Sequence, residues 1–194
     1  MLRIHRLATA ILILSASAAS QIIDGNVSYA WTPPTATQLE SIDPNFSANP
    51  SITDVLFEQW WAYRINNDPD EIYLDSTNLV IATSGSHADF DWTDVGGRGL
   101  IDAALDLDVA STGSFSGELT ASMTITNIST AVITLNLFHY VDLDICSAVP
   151  NSASGTPFAH DVSSALCPTE IVTVEAAQAD RWCAAPFSFN DVST

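Results

Sequence analysis

Apolar and polar residues alternate at every second position in four stretches of the chain, and this pattern constrains the fold more than any other feature. Within residues 101–109 every odd position is apolar, and three of the four even positions are aspartate. Odd apolar positions also dominate residues 119–126 and 133–145, whereas residues 87–92 place their apolar residues at even positions. Because successive side chains of a β-strand point to opposite faces, each stretch predicts a strand with one buried and one solvated face.

The remaining apolar runs are shorter and complete the prediction of an all-β fold. We expect weaker strands in residues 27–31, 56–65, 71–74, 79–83 and 171–176. About eight or nine strands joined by turn-rich spacers are typical of an antiparallel β-sandwich, including jelly-roll-like arrangements. We further expect a hairpin between residues 118–127 and 131–145, a short helical turn near residues 51–57, and long connections at residues 32–53 and 147–168.

The N-terminal residues have the three-part composition of a secretory signal peptide. Residues 1–6 are basic, residues 7–14 are apolar, and residues 15–20 are small and contain an A-x-A cleavage motif. An apolar run this short favours a cleaved signal over a membrane-spanning helix, which needs about 20 apolar residues. We therefore predict that residues 1–20 direct export, to the exterior or the cell surface, and that residues 21–194 form a single β-sandwich domain.

The charge balance disfavours some partners and favours others. The chain has 23 acidic residues against five basic ones, all of them arginine, and its formal net charge is −18. Nucleic acids and anionic membrane surfaces are disfavoured, because binding to either needs cationic side chains. Cations are favoured instead, and glycans or other cell-surface components remain candidate partners.

Pairs of aspartates two residues apart on the predicted strands are candidate calcium ligands. Asp106 and Asp108 lie on one face of their strand, and Asp142 and Asp144 lie on one face of another. Calcium takes about six to eight oxygen ligands, so either pair needs further oxygens from a neighbouring strand or loop. The alternative is that these carboxylates only solvate the outer face. The aspartates of residues 89–94 are spaced like half an EF-hand loop, but the alternation there favours a strand.

Trp60 and Arg64 are the candidate ligand-binding residues. They share one face of a predicted strand, while Trp61 and Tyr63 share the other face, and one of the two faces must be core. An exposed Trp60 beside Arg64 would offer a stacking platform for a sugar; the alternative is that both tryptophans are packed. His139 has apolar residues two positions away on either side and is predicted to be a hydrogen-bonded core histidine.

The chain has three cysteines, Cys146, Cys167 and Cys183, which in an oxidising compartment predict one disulfide and one remaining thiol. We favour the pairing of Cys146 with Cys167, which closes a loop of about 20 residues and contributes roughly 3 kcal/mol in the chain-entropy treatment. The other two pairings remain open.

Two stretches of the sequence support a resemblance to a known group of proteins. The first is Phe-Glu-Gln-Trp-Trp-Ala-Tyr-Arg at residues 57–64; the second is Ile-Thr-Asn at residues 125–127 followed by the strand that ends Phe-His-Tyr-Val-Asp-Leu-Asp at residues 138–144. Together they resemble uncharacterised exported bacterial β-sandwich proteins, some of which carry a PEP-CTERM sorting tail. Residues 188–194 contain neither the Pro-Glu-Pro motif nor the hydrophobic helix of that tail. The resemblance implies exported β structure and no particular activity.

Three functions fit these features. The sequence has no G-x-S-x-G motif and no glycine-rich phosphate loop, so we predict no enzymatic activity and no cofactor other than calcium. The preferred function is that of a secreted acidic protein of the surface or extracellular matrix, with calcium as a candidate stabilising ion. The alternatives are a carbohydrate-binding module that uses Trp60 and the long connections, and a small outer-membrane β-barrel.

Overall fold

In the part of the chain that it describes, the computed structural model contains thirteen β-strands and one short 3₁₀ turn. It describes residues 21–32, 43–47, 56, 58–75, 77–114, 116–143, 145, 152–156, 159–164 and 167–175. In chain order the strands are β1 (Gln21–Asp24), β2 (Val27–Thr32), β3 (Asp43–Ser47), β4 (Glu58–Ile65), β5 (Ile72–Tyr73), β6 (Leu79–Ser84), β7 (His87–Trp92), β8 (Ile101–Gly113), β9 (Ser116–Asn127), β10 (Leu135–Asp142), β11 (Ser152–Thr156), β12 (Ala159–Ser164) and β13 (Cys167–Glu175), with the 3₁₀ turn η1 at Val95–Gly97. Among these residues we find no helix long and apolar enough to cross a bilayer.

The strands form antiparallel sheets, as the alternation predicts. The largest sheet has four strands in the order β6-β7-β8-β9, and three-stranded sheets are formed by β10-β4-β5, β1-β2-β3 and β11-β12-β13. The all-β fold class is confirmed, and the arrangement is consistent with a β-sandwich. The strands are more numerous than expected, because β3, β11 and β12 lie inside the segments predicted as long connections. β1 has only four residues, too few to show an alternating pattern.

A shared apolar core contains side chains of the four-stranded sheet and of the strands packed against it. The core-facing residues of β7 are Ala88, Phe90 and Trp92, and the odd residues of β8 from position 101 to 109 are buried. Trp31 of β2 meets Phe90 edge to face, with ring centroids 5.2 Å apart. Because these alternate positions are buried, the intervening residues of β7 and β8 face away from the core.

The predicted hairpin between residues 118–127 and 131–145 is wrong. β9 pairs with β8 and β10 pairs with β4, so the chain passes from one sheet to another between them. The side chain of Asn127 closes a local turn by accepting a hydrogen bond from a backbone N–H two residues later. Asn66, directly after β4, then holds Thr134 through two hydrogen bonds of 2.8 and 3.0 Å. These contacts direct the chain to β4 instead of back along β9.

Two of the expectations about chain segments fall outside the described residues. They are the export signal at residues 1–20 and most of the helical turn near residues 51–57. The single-domain organisation of residues 21–194 stays a prediction.

Candidate metal centre

Six polar side chains of β7 and β8 form what we call the acidic face, on the outer side of the four-stranded sheet. Its members are His87, Asp89 and Asp91 on β7 and Asp102, Asp106 and Asp108 on β8. The register places Asp89 opposite Asp106 and His87 opposite Asp108. Directly opposed residues of an antiparallel pair have Cβ atoms about 5 Å apart, so the register brings the carboxylates together.

The turn before β7 fixes the start of this face. Gly85 and Ser86 connect β6 to β7, and Gly85 has a φ of 62°, a left-handed conformation that glycine adopts without a steric penalty. β7 therefore begins at His87, and the burial of Ala88 and Phe90 makes the odd residues of this strand point outward. The side chain of His87 consequently lies on the same face as the aspartates of β7 and β8.

His87 links two carboxylates across the strand pair. Its Nδ1 lies 2.9 Å from Asp108 Oδ1, and its Nε2 lies 2.8 Å from Asp89 Oδ1. The hydrogen bonds to Asp108 and then to Asp89 raise the pKa of His87 above its ordinary value. Since all three side chains are partly exposed, these ion pairs are screened and each contributes at most about 1 kcal/mol to stability.

Asp106 completes a compact group of possible metal ligands. One ligand atom from each of His87, Asp89 and Asp106 lies within 4.8 Å of the other two, a group of three that stands out among the described residues. Desolvation raises the pKa of Asp106, and the adjacent carboxylate of Asp89 raises it further. The arrangement therefore crowds two carboxylates and one imidazole nitrogen around a point that a cation could occupy.

Arginine does not neutralise this face within its own sheet. The sequences of β6, β7, β8 and β9 contain neither lysine nor arginine. Arg98 donates two hydrogen bonds to the carboxylate of Asp68, at 2.7 and 2.8 Å, and lowers the pKa of that group. Arg64 forms an ion pair with Glu71. Both arginines thus have carboxylate partners outside the acidic face.

Among the described residues, the aspartates that the sequence nominates as calcium ligands lie in two different sheets. Asp106 and Asp108 lie on the acidic face with His87 and Asp89. Asp142 lies on β10, in a different sheet, where it pairs in register with Glu58 of β4. Asp144 lies outside the described residues.

Sequence reasoning did not include His87 among the candidate metal ligands. The alternation of residues 87–92 already places His87 and Asp89 on the polar side of one strand. The register that brings them opposite Asp108 and Asp106 is a tertiary feature that the alternation does not specify. The only sequence signal is a histidine that shares a polar strand face with aspartate.

Trp60 does not form the exposed platform that was one expectation for it. Its side chain is only 8 % exposed and stacks on Tyr140 of the neighbouring strand, with ring centroids 5.2 Å apart. The guanidinium carbon of Arg64 lies 5.5 Å from the ring centroid of Phe138. Aromatic residues of β10 cover this side of β4, while Trp61 on the other side belongs to the core. Both tryptophans are therefore packed, as the alternative reading predicts.

His139 ends a hydrogen-bond chain that starts in the core. The buried Tyr29 donates to Gln59 Oε1 at 3.2 Å, and Gln59 Nε2 lies 2.7 Å from His139 Nε2. The imidazole lies flat on Trp61, with ring centroids 3.9 Å apart. The predicted hydrogen bonding is confirmed, but the residue as a whole is exposed, because its strand β10 is at the edge of a sheet. Loss of water around the ring lowers the pKa of His139 to about 4.

The disulfide stays a prediction. Cys146 and Cys183 lie outside the described residues, and of Cys167 only the strand position, at the start of β13, is described.

Comparisons with known proteins give no relative. No family model, no curated protein and no solved structure matches the chain.

Proposed function

We propose that this chain is an exported, non-enzymatic protein of the cell surface or extracellular matrix whose acidic face binds divalent cations. The observation that carries the proposal is the convergence of Asp89 and Asp106 beside His87, where three possible ligand atoms lie within 4.8 Å of one another. A cation at this point would relieve the repulsion between the two carboxylates and would link β7 to β8.

The shape of the surface supports a binding or structural role over a catalytic one. The acidic face is the outer side of an open sheet, and the depression at the end that contains Asp91 and Asp102, also lined by Trp92 and Thr124, is partly open to solvent. Catalytic and small-molecule sites are generally concave clefts that bury most of their ligand. Ions need no cleft, because a few carboxylates on a rigid surface are sufficient ligands.

Export is supported by the composition of residues 1–20 and agrees with the resemblance to exported β-sandwich proteins. A net charge of −18 favours solubility and keeps copies of the chain apart. In extracellular fluids, which are rich in divalent ions, the same charge raises the local cation concentration at the acidic face. Carbohydrate binding through Trp60 has less support, since that side chain is covered by Tyr140.

Thermal unfolding with and without divalent ions tests the proposal. The purified chain is treated with EDTA and then melted alone and with Ca²⁺, Mg²⁺ or Zn²⁺. An ion present at about 100 times its Kd stabilises the fold by about 2.7 kcal/mol, which raises Tm by roughly 5–10 °C for a chain of this size.

The Asp106→Asn variant should lose most of this shift. The control Asp70→Asn removes the same charge from the exposed loop between β4 and β5 and should keep the shift. Identical melting temperatures in EDTA and in each of the three ions would disprove cation binding by the folded chain.

A further inference from the structure

The chemistry of the converging atoms specifies which class of cation the acidic face takes. We propose that His87, Asp89 and Asp106 bind a borderline transition-metal ion, with Zn²⁺ as the representative, in preference to Ca²⁺. This inference rests on the cation-binding function proposed above and narrows it to one site and one metal class. The donor set is one imidazole nitrogen and two carboxylate oxygens from two paired strands.

The distances fit a single small ion. Zinc binds histidine nitrogen and carboxylate oxygen at about 2.0–2.2 Å, so two such ligands in a tetrahedral site are about 3.4 Å apart. His87 Nε2 and Asp89 Oδ1 are 2.8 Å apart, and all three ligand atoms lie within 4.8 Å of one another. Shifts of about 0.5–1 Å therefore convert the present contacts into a zinc site, and rotations of partly exposed side chains supply shifts of this size.

Asp108 orients the imidazole of His87 for metal binding, although Asp108 is not one of the three proposed ligands. Its Oδ1 accepts a hydrogen bond from Nδ1 at 2.9 Å, which fixes the ring orientation and leaves Nε2 directed toward Asp89. Metal-binding histidines almost always donate their other N–H to a carboxylate, a carbonyl or a water. The pair of His87 and Asp108 reproduces this arrangement across two hydrogen-bonded strands.

The same donor set is poor for calcium. Calcium prefers about six to eight oxygen ligands from flexible loops at 2.3–2.6 Å, and imidazole nitrogen is not among its usual ligands. Imidazole suits zinc, copper and nickel, and three ligands on one side of the ion leave further positions for water. A site with one imidazole nitrogen and two carboxylate oxygens on two paired strands therefore favours a transition-metal ion over Ca²⁺.

Titration of the purified, untagged full-length chain with Zn²⁺ and separately with Ca²⁺ tests the inference, with Co²⁺ as a spectroscopic substitute for zinc. The cysteines are first blocked by alkylation, so that thiolates do not contribute to binding. We expect one zinc site with affinity at least tenfold above that for Ca²⁺, and visible d–d absorption when Co²⁺ binds. His87→Ala should lower zinc affinity by at least tenfold, and Asp108→Asn by a smaller factor.

Two variants keep the experiment interpretable. His139→Gln removes the histidine that stacks on Trp61 in another sheet and should leave zinc affinity unchanged. Asp106→Asn tests the carboxylate side of the site without touching His87, and circular dichroism verifies that each variant is folded. Zinc binding that survives His87→Ala in the folded protein would overturn the inference.

The failure of the metal assignment can be distinguished from the failure of the proposed function. If Ca²⁺ binds through Asp106, independently of His87, and Zn²⁺ binds no more tightly, the transition-metal site is wrong and the cation-binding function stands. If neither ion binds, both are wrong.

Discussion

Lowering the pH from about 7.5 to about 5 should destabilise the folded chain through His139, because the folded state binds the proton of this group less well than the unfolded state. Gln59 donates a hydrogen bond to His139 Nε2. Protonation of that nitrogen would place its N–H opposite the amide N–H of Gln59, so this hydrogen bond would be lost. The Oε1 atom of Gln59 is already hydrogen-bonded to the buried Tyr29. The neutral imidazole is therefore the form that completes the chain of hydrogen bonds.

The magnitude follows from the two pKa values of His139. The folded-state value is about 4, and the unfolded-state value is about 6.5. Because the folded value is the lower one, the stabilisation is complete above about pH 6.5 and is lost as the pH falls toward the folded value. Proton linkage alone lowers the free energy of unfolding by about 2 kcal/mol between about pH 7.5 and about pH 5. Because the residue is exposed and solvent screens part of the effect, we halve this loss to about 1 kcal/mol.

Urea denaturation at the two pH values measures this loss. A difference of about 1 kcal/mol lowers the urea midpoint by roughly 0.3–1 M. The comparison is between the wild type and His139→Gln, which keeps a polar side chain at the edge strand but cannot be protonated. His87 has a raised pKa and acts in the opposite direction, but it is present in both proteins and cancels from the comparison. If both proteins lose equal stability on acidification, the assigned role of His139 is refuted.

Three packing predictions follow from closely packed positions and can be measured by chemical denaturation at neutral pH. Phe90→Ala should cost about 3–5 kcal/mol, since its fully buried ring leaves a cavity; a cost below about 1 kcal/mol would contradict the core assignment. Gly117→Ala should cost about 1–3 kcal/mol, because a Cβ at Gly117 would clash with the side chain of Val27. Gly117→Ala should cost less in a Val27→Ala background than in the wild type, and an equal cost in both backgrounds would contradict the close approach of β9 to β2. Trp60→Ala should destabilise by about 3–5 kcal/mol through loss of packing on Tyr140, whereas an exposed Trp60 would tolerate the change.

The sequence predicted which face of β7 and β8 is buried, but it did not predict which strands pair with each other. In β8 the alternation correctly placed Leu105 in the core and Asp106 outside, because the pleat of a strand fixes that relation locally. β10 pairs with β4 instead of β9, and the contacts of Asn66 with Thr134 that accompany this pairing lie in a connection that the alternation does not describe. The hairpin expectation failed for this reason.

The candidate site shows the same division. Asp106 and Asp108 could be nominated from their spacing on one strand, but the register of β7 and β8 is what brings His87 and Asp89 beside them. Trp60 illustrates the converse case. The alternation correctly placed Trp60 and Trp61 on opposite faces of β4. The burial of Trp60 against Tyr140, however, depends on the pairing of β4 with β10.

X-ray diffraction from crystals soaked in Zn²⁺ tests the central claim most directly, because anomalous scattering at the zinc absorption edge locates the ion without reference to any assumed site. We predict one anomalous peak between β7 and β8, within about 2.0–2.2 Å of His87 Nε2 and of carboxylate oxygens of Asp89 and Asp106. A fully occupied peak elsewhere on the protein, with none beside His87, would contradict the proposed metal centre.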